Sequence, residues 1–391
     1  MKSYKSWLVL VVILLLGLLG GILIGSKLYY SDTEFVNPLI RVSQDRVKEL
    51  PLNKYRITEL ANFDFIKSDI QIEEKIADYE EYSSYLFSYQ ASGGKITGQI
   101  NLPNNFAKKN KVIILLRGYV PPEIYQTGIG TKSAAGVFAQ NGYITLAPDF
   151  LGFGGSDNES DNSWETRFIK PVNVIELLRD IQQTDFVYQY CIYNDRQTSS
   201  NSKNLEGVAN SSCGSRKDNA YKLGMWAHSN GGQVALTVLE ALESTIPTTL
   251  WAPVTAPFPY SILFFTDELD DEGKASRLWL SQFEDDYNVF DFSITKHLDR
   301  LNGPILLHHG TSDEAALQAW SLEFIDKVDM ENKLRVENNE LIKVATGTSD
   351  LVTKEPIDIT FYAYPGADHN LQPSWNSVIT RDIEFFKDKL K

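Results

Sequence analysis

The chain has 391 residues, of which 43% are hydrophobic and 12% are aromatic, and its formal net charge at pH 7 is −14. The hydrophobic fraction is ordinary for a globular protein, and the aromatic content argues against a largely disordered chain. Nucleic acid is excluded as a predicted partner, because phosphate binding needs a surface rich in Lys and Arg.

The first element along the chain is an uncharged apolar run, WLVLVVILLLGLLGGILIG, from Trp7 to Gly25. As a helix it spans roughly 28 Å, which is close to the hydrocarbon thickness of a bilayer. A cleavable signal peptide is the alternative, but its apolar region is usually shorter and ends at a small-residue cleavage site. The sequence that follows, SKLYY, has no good cleavage site and has two aromatic residues suited to the membrane interface. We therefore predict a retained single-pass transmembrane anchor in residues 1–30.

The charges on either side of this run predict its orientation. Lys2 and Lys5 precede it, whereas only Lys27 follows closely, ahead of Asp32 and Glu34. Under the positive-inside rule, the N-terminus is cytoplasmic and the rest of the protein lies outside.

Residues 31–82 are polar and rich in charge, and we interpret them as a stalk or N-terminal elaboration with a helix around Asp69–Tyr82. From residue 83 onward the pattern changes. YSSYLFSYQ and KITGQINLP flank a Gly-containing turn, which predicts an antiparallel hairpin. Short apolar runs typical of buried strands follow: KVIILLRGY, GYITLAPDF, YKLGMWAHS, TTLWAPV, GPILLHHG and DITFYAYPG.

Stretches of helical length separate most of these runs, at residues 132–141, 164–190, 231–243 and 317–328. Strands that alternate with helices predict a mainly parallel sheet covered on both faces. The predicted fold class of residues 83–391 is therefore α/β, of the α/β-hydrolase type, with a mostly parallel eight-stranded sheet and helices on both faces.

Three segments interrupt this alternation. Residues 191–221 are rich in Ser and Asn and are interpreted as a surface loop; its Cys191 and Cys213 form a disulfide in an oxidising compartment or remain free thiols, and both alternatives stay open. Residues 255–300 are aromatic and acidic and are interpreted as a cap inserted over a site. Residues 329–355 are interpreted as a smaller insertion.

Ser229 follows one predicted strand, at the edge where sites form in open α/β sheets. Its surroundings are Ala227-His228-Ser229-Asn230-Gly231, and the sequence then continues as a helix. A serine on a sharp strand-to-helix turn needs small neighbours, as the pattern G-x-S-x-G expresses. Here Ala stands in the first Gly position. A serine that only caps the helix is the alternative interpretation.

An acid and a histidine follow later strands in the order expected for an α/β-hydrolase. Asp313 comes after GPILLHHG, and His369 comes after DITFYAYPG. In such a triad, His369 takes the proton of the Ser229 hydroxyl, and Asp313 holds the imidazole in the correct tautomer. The sequence therefore predicts Ser229, Asp313 and His369 as the catalytic residues.

The remaining histidines are less suited to be the base, because of where they lie: inside the turn (His228), at the end of a buried strand (His308 and His309), or in the cap (His297). The other acids are less suited than Asp313 for similar reasons. Glu314 lies beside it, and Asp368 is too close in sequence to reach around His369. Asp267 and Asp350 are remote alternatives.

An oxyanion hole needs two backbone N–H donors near the nucleophile. One is expected from Asn230, directly after Ser229. The other is expected from Tyr119 in the loop after KVIILLRGY, where Gly118 lets the backbone turn towards the site.

Several ordered blocks resemble the catalytic domain of the prolyl oligopeptidase (S9) family of serine hydrolases: RGYVPPEIYQTGIGT, GYITLAPDFLGFGGS, WAHSNGG, LWAPV, HHGTSDE and PGADHNL. The resemblance covers about residues 85–390. It implies Ser229 as nucleophile, Asp313 as acid and His369 as base, with Tyr119 and Asn230 at the oxyanion hole. The sequence departs from that family at Arg117, where His is frequent, at Ala227, and in lacking the N-terminal β-propeller. Without the propeller, the resemblance does not imply strict selectivity for oligopeptides, and esterase activity is favoured accordingly.

The predicted function is a membrane-anchored serine hydrolase that cleaves ester or peptide bonds through an acyl-enzyme. Its expected partners are a small-molecule ester or short peptide substrate and, through the N-terminal helix, the membrane. No cofactor and no metal is predicted, since the cysteines are not spaced as ligand pairs. The alternative from another class is an anchored binding protein that kept the fold without turnover. The sequence predicts no oligomeric state.

Overall fold

A computed structural model describes residues 49–104, 106, 110–187, 189–190, 221–266, 269–346 and 354–391. The predicted anchor, the two cysteines, Asp267 and Asp350 lie outside these residues. Among the helices within them, none has the length and apolar character needed to cross a membrane.

The central feature is a sheet with nine strands in the described residues: β1 Gln71–Asp78, β2 Tyr82–Ala91, β3 Gly94–Pro103, β4 Lys111–Leu116, β5 Ile144–Pro148, β6 Lys222–His228, β7 Thr248–Trp251, β8 Ile305–Gly310 and β9 Ile359–Tyr364. Their order is β1-β2-β3-β5-β4-β6-β7-β8-β9. The first three strands and the β3–β5 pair are antiparallel, and all pairs from β5 to β9 are parallel. The fold is α/β-hydrolase-like, and the predicted hairpin is confirmed as β2 and β3.

The α-helices are α1 Ile57–Leu60, α2 Lys132–Gln140, α3 Ser163–Gln183, α4 Asn230–Leu242, α5 Ser261–Phe264, α6 Lys274–Glu284, α7 Gln318–Thr346 and α8 Trp375–Lys389. Short 3-10 helices lie at Pro51–Tyr55, Pro122–Ile124, Val289–Phe292, Ile294–Lys296 and Leu298–Arg300. The residues predicted as a cap thus contain α5, α6 and three of these 3-10 helices. The α6 side chain Trp279 stacks on Trp164 of α3, with ring centroids 3.6 Å apart.

The sheet has nine strands, and the prediction of eight was wrong by one. The additional strand is β1, which lies where the sequence favoured a helix. Ile72 and Ile76 are four residues apart, a helical spacing, but Ile76 is exposed and β1 pairs with β2 through an irregular register. The pairing of β1 with β2 at the edge of the sheet, which includes bulges, therefore decides the structure of this segment in spite of the helical spacing.

The predicted insertion at residues 329–355 was also misplaced, because α7 continues from residue 318 through Thr346. The second half of this helix was not predicted from the sequence, because many of its side chains face solvent and are polar. Arg335 fixes this helix, because it is buried and donates to four backbone carbonyls, those of Leu298, Asp299, Leu301 and Glu355.

The core lies on both faces of the sheet, as the alternation along β4 illustrates. Val112, Ile114 and Leu116 belong to one apolar cluster, together with side chains of α3, α4 and α7. Ile113 and Leu115 belong to the other cluster, with side chains of α2 and α8. Because successive strand residues point to opposite faces, a run that is apolar throughout is buried on both sides.

Glu240 of α4 is an unusual member of this interior, since it is fully buried and neither carboxylate oxygen has a hydrogen-bond partner. Burial raises the pKa of its carboxyl well above the ordinary value, and Asp299 adds to the rise while Arg300 opposes it. Because the pKa of Glu240 is higher in the folded chain than in the unfolded chain, its contribution to the free energy of unfolding is fully present below the unfolded pKa. This contribution is lost as the pH rises above that value.

We therefore predict that Glu240→Gln increases the free energy of unfolding, because it removes the cost of keeping this carboxyl protonated. The difference in the free energy of unfolding between the variant and the wild type grows by up to about 1.4 kcal/mol for each pH unit above the pKa of Glu240 in the unfolded chain. Urea unfolding at several pH values between about 5 and 8 measures it. Glu337→Gln, at an exposed position of α7, is the control and gives no trend. Parallel stability curves for Glu240→Gln and wild type would contradict the assignment.

Candidate active site

Ser229 lies between β6, which ends at His228, and α4, which begins at Asn230. Its backbone has φ 56° and ψ −123°, a left-handed conformation that is strained for a residue with a side chain. Three backbone hydrogen bonds fix this turn. The Ser229 N–H donates to the Trp251 carbonyl at 2.9 Å, and the Ser229 carbonyl accepts from Gly232 at 2.9 Å and Val254 at 3.1 Å. The serine is thus held on a sharp strand-to-helix turn.

Small neighbours surround the turn because backbones approach closely there. A Cβ on Gly231 would lie 2.1 Å from the Leu116 carbonyl oxygen, and one on Gly118 would lie 2.8 Å from the Ser229 Cβ. Ala227, in the position where the pattern has Gly, is fully buried in the core, and its methyl group is accommodated there. The loop after β4 therefore packs directly against Ser229.

Asp313 and His369 come from the loops after β8 and β9, which are neighbouring parallel strands. His369 Nδ1 lies 2.8 Å from Asp313 Oδ2. The other oxygen, Oδ1, accepts from the backbone N–H groups of Ala315 and Ala316, both at 2.9 Å. The structure thus brings the predicted acid and the predicted base into hydrogen-bond contact.

His309 also contacts Asp313, a role that the sequence analysis missed. Its Nε2 lies 3.1 Å from Asp313 Oδ2 and 2.8 Å from the Ala316 carbonyl oxygen, while its Nδ1 lies 2.8 Å from the Ser321 hydroxyl. The adjacent His308 points to the opposite face, where it contacts Asp382. The alternation of a strand is the signal that separates the two, since only one face leads to the site.

The pKa of Asp313 reflects these contacts. Burial raises it, but hydrogen bonds from His309, His369 and the Ala316 N–H outweigh burial, so that the pKa lies well below its usual range. The carboxylate is therefore ionised across the physiological range, as an acid that orients an imidazole must be.

His228 connects the turn of Ser229 to the loop of His369. Its Nε2–H donates to the His369 carbonyl oxygen at 2.9 Å, and the two imidazole rings are 4.6 Å apart. Burial, and then the charge of a protonated His369, lower the pKa of His228 to about 4, so it is a neutral donor at pH 7. No described residue forms a hydrogen bond with the Ser229 hydroxyl. Such contacts are often formed only when substrate is bound.

The alternative acids and bases have other contacts. Asp368 accepts from the N–H groups of Asn370 and Gln372, and so stabilises its own turn. Glu314 is exposed, and His297 contacts the Phe290 carbonyl oxygen at 3.2 Å.

The predicted oxyanion donors, Tyr119 and Asn230, both line a cavity of about 350 Å³ beside Ser229's turn. Asn230 is the first residue of α4, where backbone N–H groups have no intrahelical partner. Before Tyr119, the Arg117 guanidinium donates to the Gly118 carbonyl oxygen at 3.0 Å. In a trans peptide the C=O and the next N–H point in opposite directions, so this contact turns the Tyr119 N–H away from Arg117.

Comparisons with known proteins add the following. No family model matches the chain, and no curated protein matches it. Among solved structures, similar chains include Est1E from Butyrivibrio proteoclasticus, with 15% identity, 82% of this chain and 99% of that chain covered, and a TM-score of 0.45. Acetyl xylan esterase 1 from Thermoanaerobacterium has 13% identity, 86% and 99% coverage, and a TM-score of 0.49. An esterase from Pyrococcus furiosus has 14% identity, 83% and 100% coverage, and a TM-score of 0.47.

The close approach of backbones at the turn gives a test of its packing. Gly231→Ala would force a methyl group against a backbone carbonyl that cannot move, and we expect a loss of about 3 kcal/mol in the free energy of unfolding. Gly366→Ala is the control: nothing lies within 4 Å of its added Cβ, and only its φ of 72° opposes the change, at about 1 kcal/mol. Urea unfolding compares the two. Equal losses would contradict the steric explanation.

Proposed function

We propose that this protein is a serine hydrolase that cleaves carboxylic esters, with Ser229 as nucleophile, His369 as general base and Asp313 as the acid that orients it. The observation that carries the proposal is the 2.8 Å contact between His369 Nδ1 and Asp313, in a loop that His228 links to the strained turn of Ser229. Nucleophilic catalysis requires a serine fixed on such a turn and a histidine that an acid orients, and these are the groups that the proposal combines.

The proton movements follow from the tautomer of His369. Its Nδ1–H donates to the ionised Asp313, so Nε2 carries the lone pair that accepts the proton of the Ser229 hydroxyl. The Ser229 oxygen then attacks the ester carbonyl carbon. As the tetrahedral intermediate collapses, His369 gives this proton to the leaving alkoxide. Water, deprotonated by the same imidazole, attacks the acyl-enzyme, and His369 returns that proton to the Ser229 oxygen as the carboxylic acid leaves.

The developing negative charge on the carbonyl oxygen needs donors that are fixed in advance. We assign this role to the backbone N–H groups of Tyr119 and Asn230. Arg117 acts as a positioning residue, because it binds the Gly118 carbonyl and so orients the Tyr119 N–H. It is buried between the rings of Tyr125 and Phe153, at 4.4 and 4.1 Å from their centroids.

Peptide amides are the second candidate substrate class, favoured by the sequence blocks that resemble the prolyl oligopeptidase family. A panel of p-nitrophenyl esters beside aminoacyl and prolyl p-nitroanilides distinguishes the two classes by kcat/KM. Turnover of esters alone supports the esterase, whereas comparable turnover of prolyl amides supports the peptidase.

We predict that a fluorophosphonate probe labels the wild type covalently and that Ser229→Ala abolishes both labelling and ester hydrolysis. Removing the nucleophile of a triad lowers kcat by several orders of magnitude, roughly 10⁶-fold in a serine protease. Ser377→Ala, an exposed serine of α8, is the control and keeps full labelling. No labelling of folded wild type would favour the binding protein without turnover. Labelling that survives Ser229→Ala would overturn the assignment of the nucleophile.

We also propose that residues 7–25 anchor the protein in a membrane, with the catalytic body outside. The support is the uncharged apolar sequence of these residues. We expect the full chain to pellet with membranes and to need detergent for release, whereas deletion of residues 7–25 leaves a soluble protein that the probe still labels. A mature N-terminus beyond residue 25 would instead show a cleaved signal peptide.

A further inference from the structure

The cavity beside the oxyanion donors has a charge opposite to that of the whole chain. The protein carries a net charge of −14, yet the described residues that line this cavity include three cationic side chains and one acidic side chain. The cations are Arg117, Arg167 and Lys170, and the acid is Glu159. The other titratable groups lining it are Tyr55 and Tyr119. With all four ionised, the lining has an excess of two positive charges.

None of the three cations forms an ion pair with a described residue, and two of them have no hydrogen bond either. Arg117 donates hydrogen bonds to the carbonyl oxygens of Gly118 and Asp149. In the part of the chain that the structure describes, Arg167 and Lys170 have no carboxylate within 4 Å and no hydrogen bond. Both lie on α3, three residues apart, and therefore face the same direction. Arg167 rests near the Trp279 ring, 5.7 Å from its centroid.

Lys170 is the more constrained of the two. It is half-buried and also lines a neighbouring cavity of about 910 Å³, so it lies at the boundary between the two spaces. Burial lowers its pKa to about 8, and Glu159 only partly opposes this effect. An ammonium group taken out of water without a partner costs free energy, which an anionic ligand would recover.

The lining also indicates which part of an ester enters this cavity. It contains Gly118, Tyr119, Asn230 and Gly231, but His369 does not line it. Because His369 gives its proton to the leaving group, the leaving group lies on the histidine side. The cavity on the oxyanion side therefore receives the acyl chain.

We propose that the acyl group of the substrate carries its own carboxylate, which binds to Lys170 and Arg167. The preferred substrates are monoesters of dicarboxylic acids. This inference rests on the proposed esterase activity and specifies its substrate class.

The test compares two p-nitrophenyl esters that share a leaving group: the monoester of glutaric acid, which is anionic, and p-nitrophenyl pentanoate, which is neutral and of similar length. We expect the wild type to have a KM about tenfold lower for the glutarate monoester. Lys170→Gln and Arg167→Gln each raise that KM about tenfold, the factor that a contribution of about 1.4 kcal/mol gives. Neither variant changes kcat/KM for the pentanoate by more than about twofold, which also shows that the variants are folded.

Lys333→Gln, which replaces an exposed lysine of α7 that does not line the cavity, is the matched control and leaves the KM for both esters unchanged.

The KM of the wild type for the glutarate monoester rises between about pH 7 and about pH 9, as Lys170 loses its proton, and this rise is absent in Lys170→Gln. Equal effects of the variants on both esters, or no preference for the anionic ester, would overturn the inference while leaving the esterase intact. Hydrolysis of neither ester by a folded wild type would overturn the esterase itself.

Discussion

The strained backbone of Ser229 is the constraint around which the site is arranged. A non-glycine residue at φ 56° costs about 1–3 kcal/mol, and it persists only where its surroundings fix it. Three backbone hydrogen bonds and close packing against glycines do so. The same packing brings the loop after β4 against the turn, because β4 and β6 are neighbours in the sheet. The order of the strands reverses around β4, which is where open α/β sheets form their sites.

Asp313, at the other side of the candidate site, depends on a second set of contacts. Each oxygen of Asp313 is contacted by two nitrogens, Oδ1 by backbone groups and Oδ2 by two imidazoles. His309 is itself held by three contacts, because its Nδ1 lies 2.8 Å from the Ser321 hydroxyl and its Nε2 lies near both the Ala316 carbonyl oxygen and Asp313. Four donors around one carboxylate keep it ionised in spite of burial. The negative charge of Asp313, held in place by these contacts, then orients His369.

Much of this arrangement could be predicted from the sequence, because strand ends and small residues leave local signals. The apolar runs indicated the parallel strands, and the residues just after them were the candidates for the site. Contacts between distant segments left no such signal. The pairing of β1 with β2 and the attachment of α7 through Arg335 both depend on partners far away in sequence. His309 was missed for a different reason, because its partners are near in sequence but its neighbour His308 is the same type of residue and only the alternation of the strand separates the two.

The acidic surface and the cationic cavity act over different distances. At physiological ionic strength, the Debye length is about 8 Å, so exposed charges farther away than this are largely screened. The net charge of −14 therefore has little influence on an anion that has already entered the cavity. Lys170 and Arg167 act at contact distance, and the half-buried position of Lys170 reduces the screening of its charge. A protein that is strongly acidic as a whole can accordingly select an anionic acyl group, because affinity is decided by the nearest charges and the distant ones mainly slow the approach.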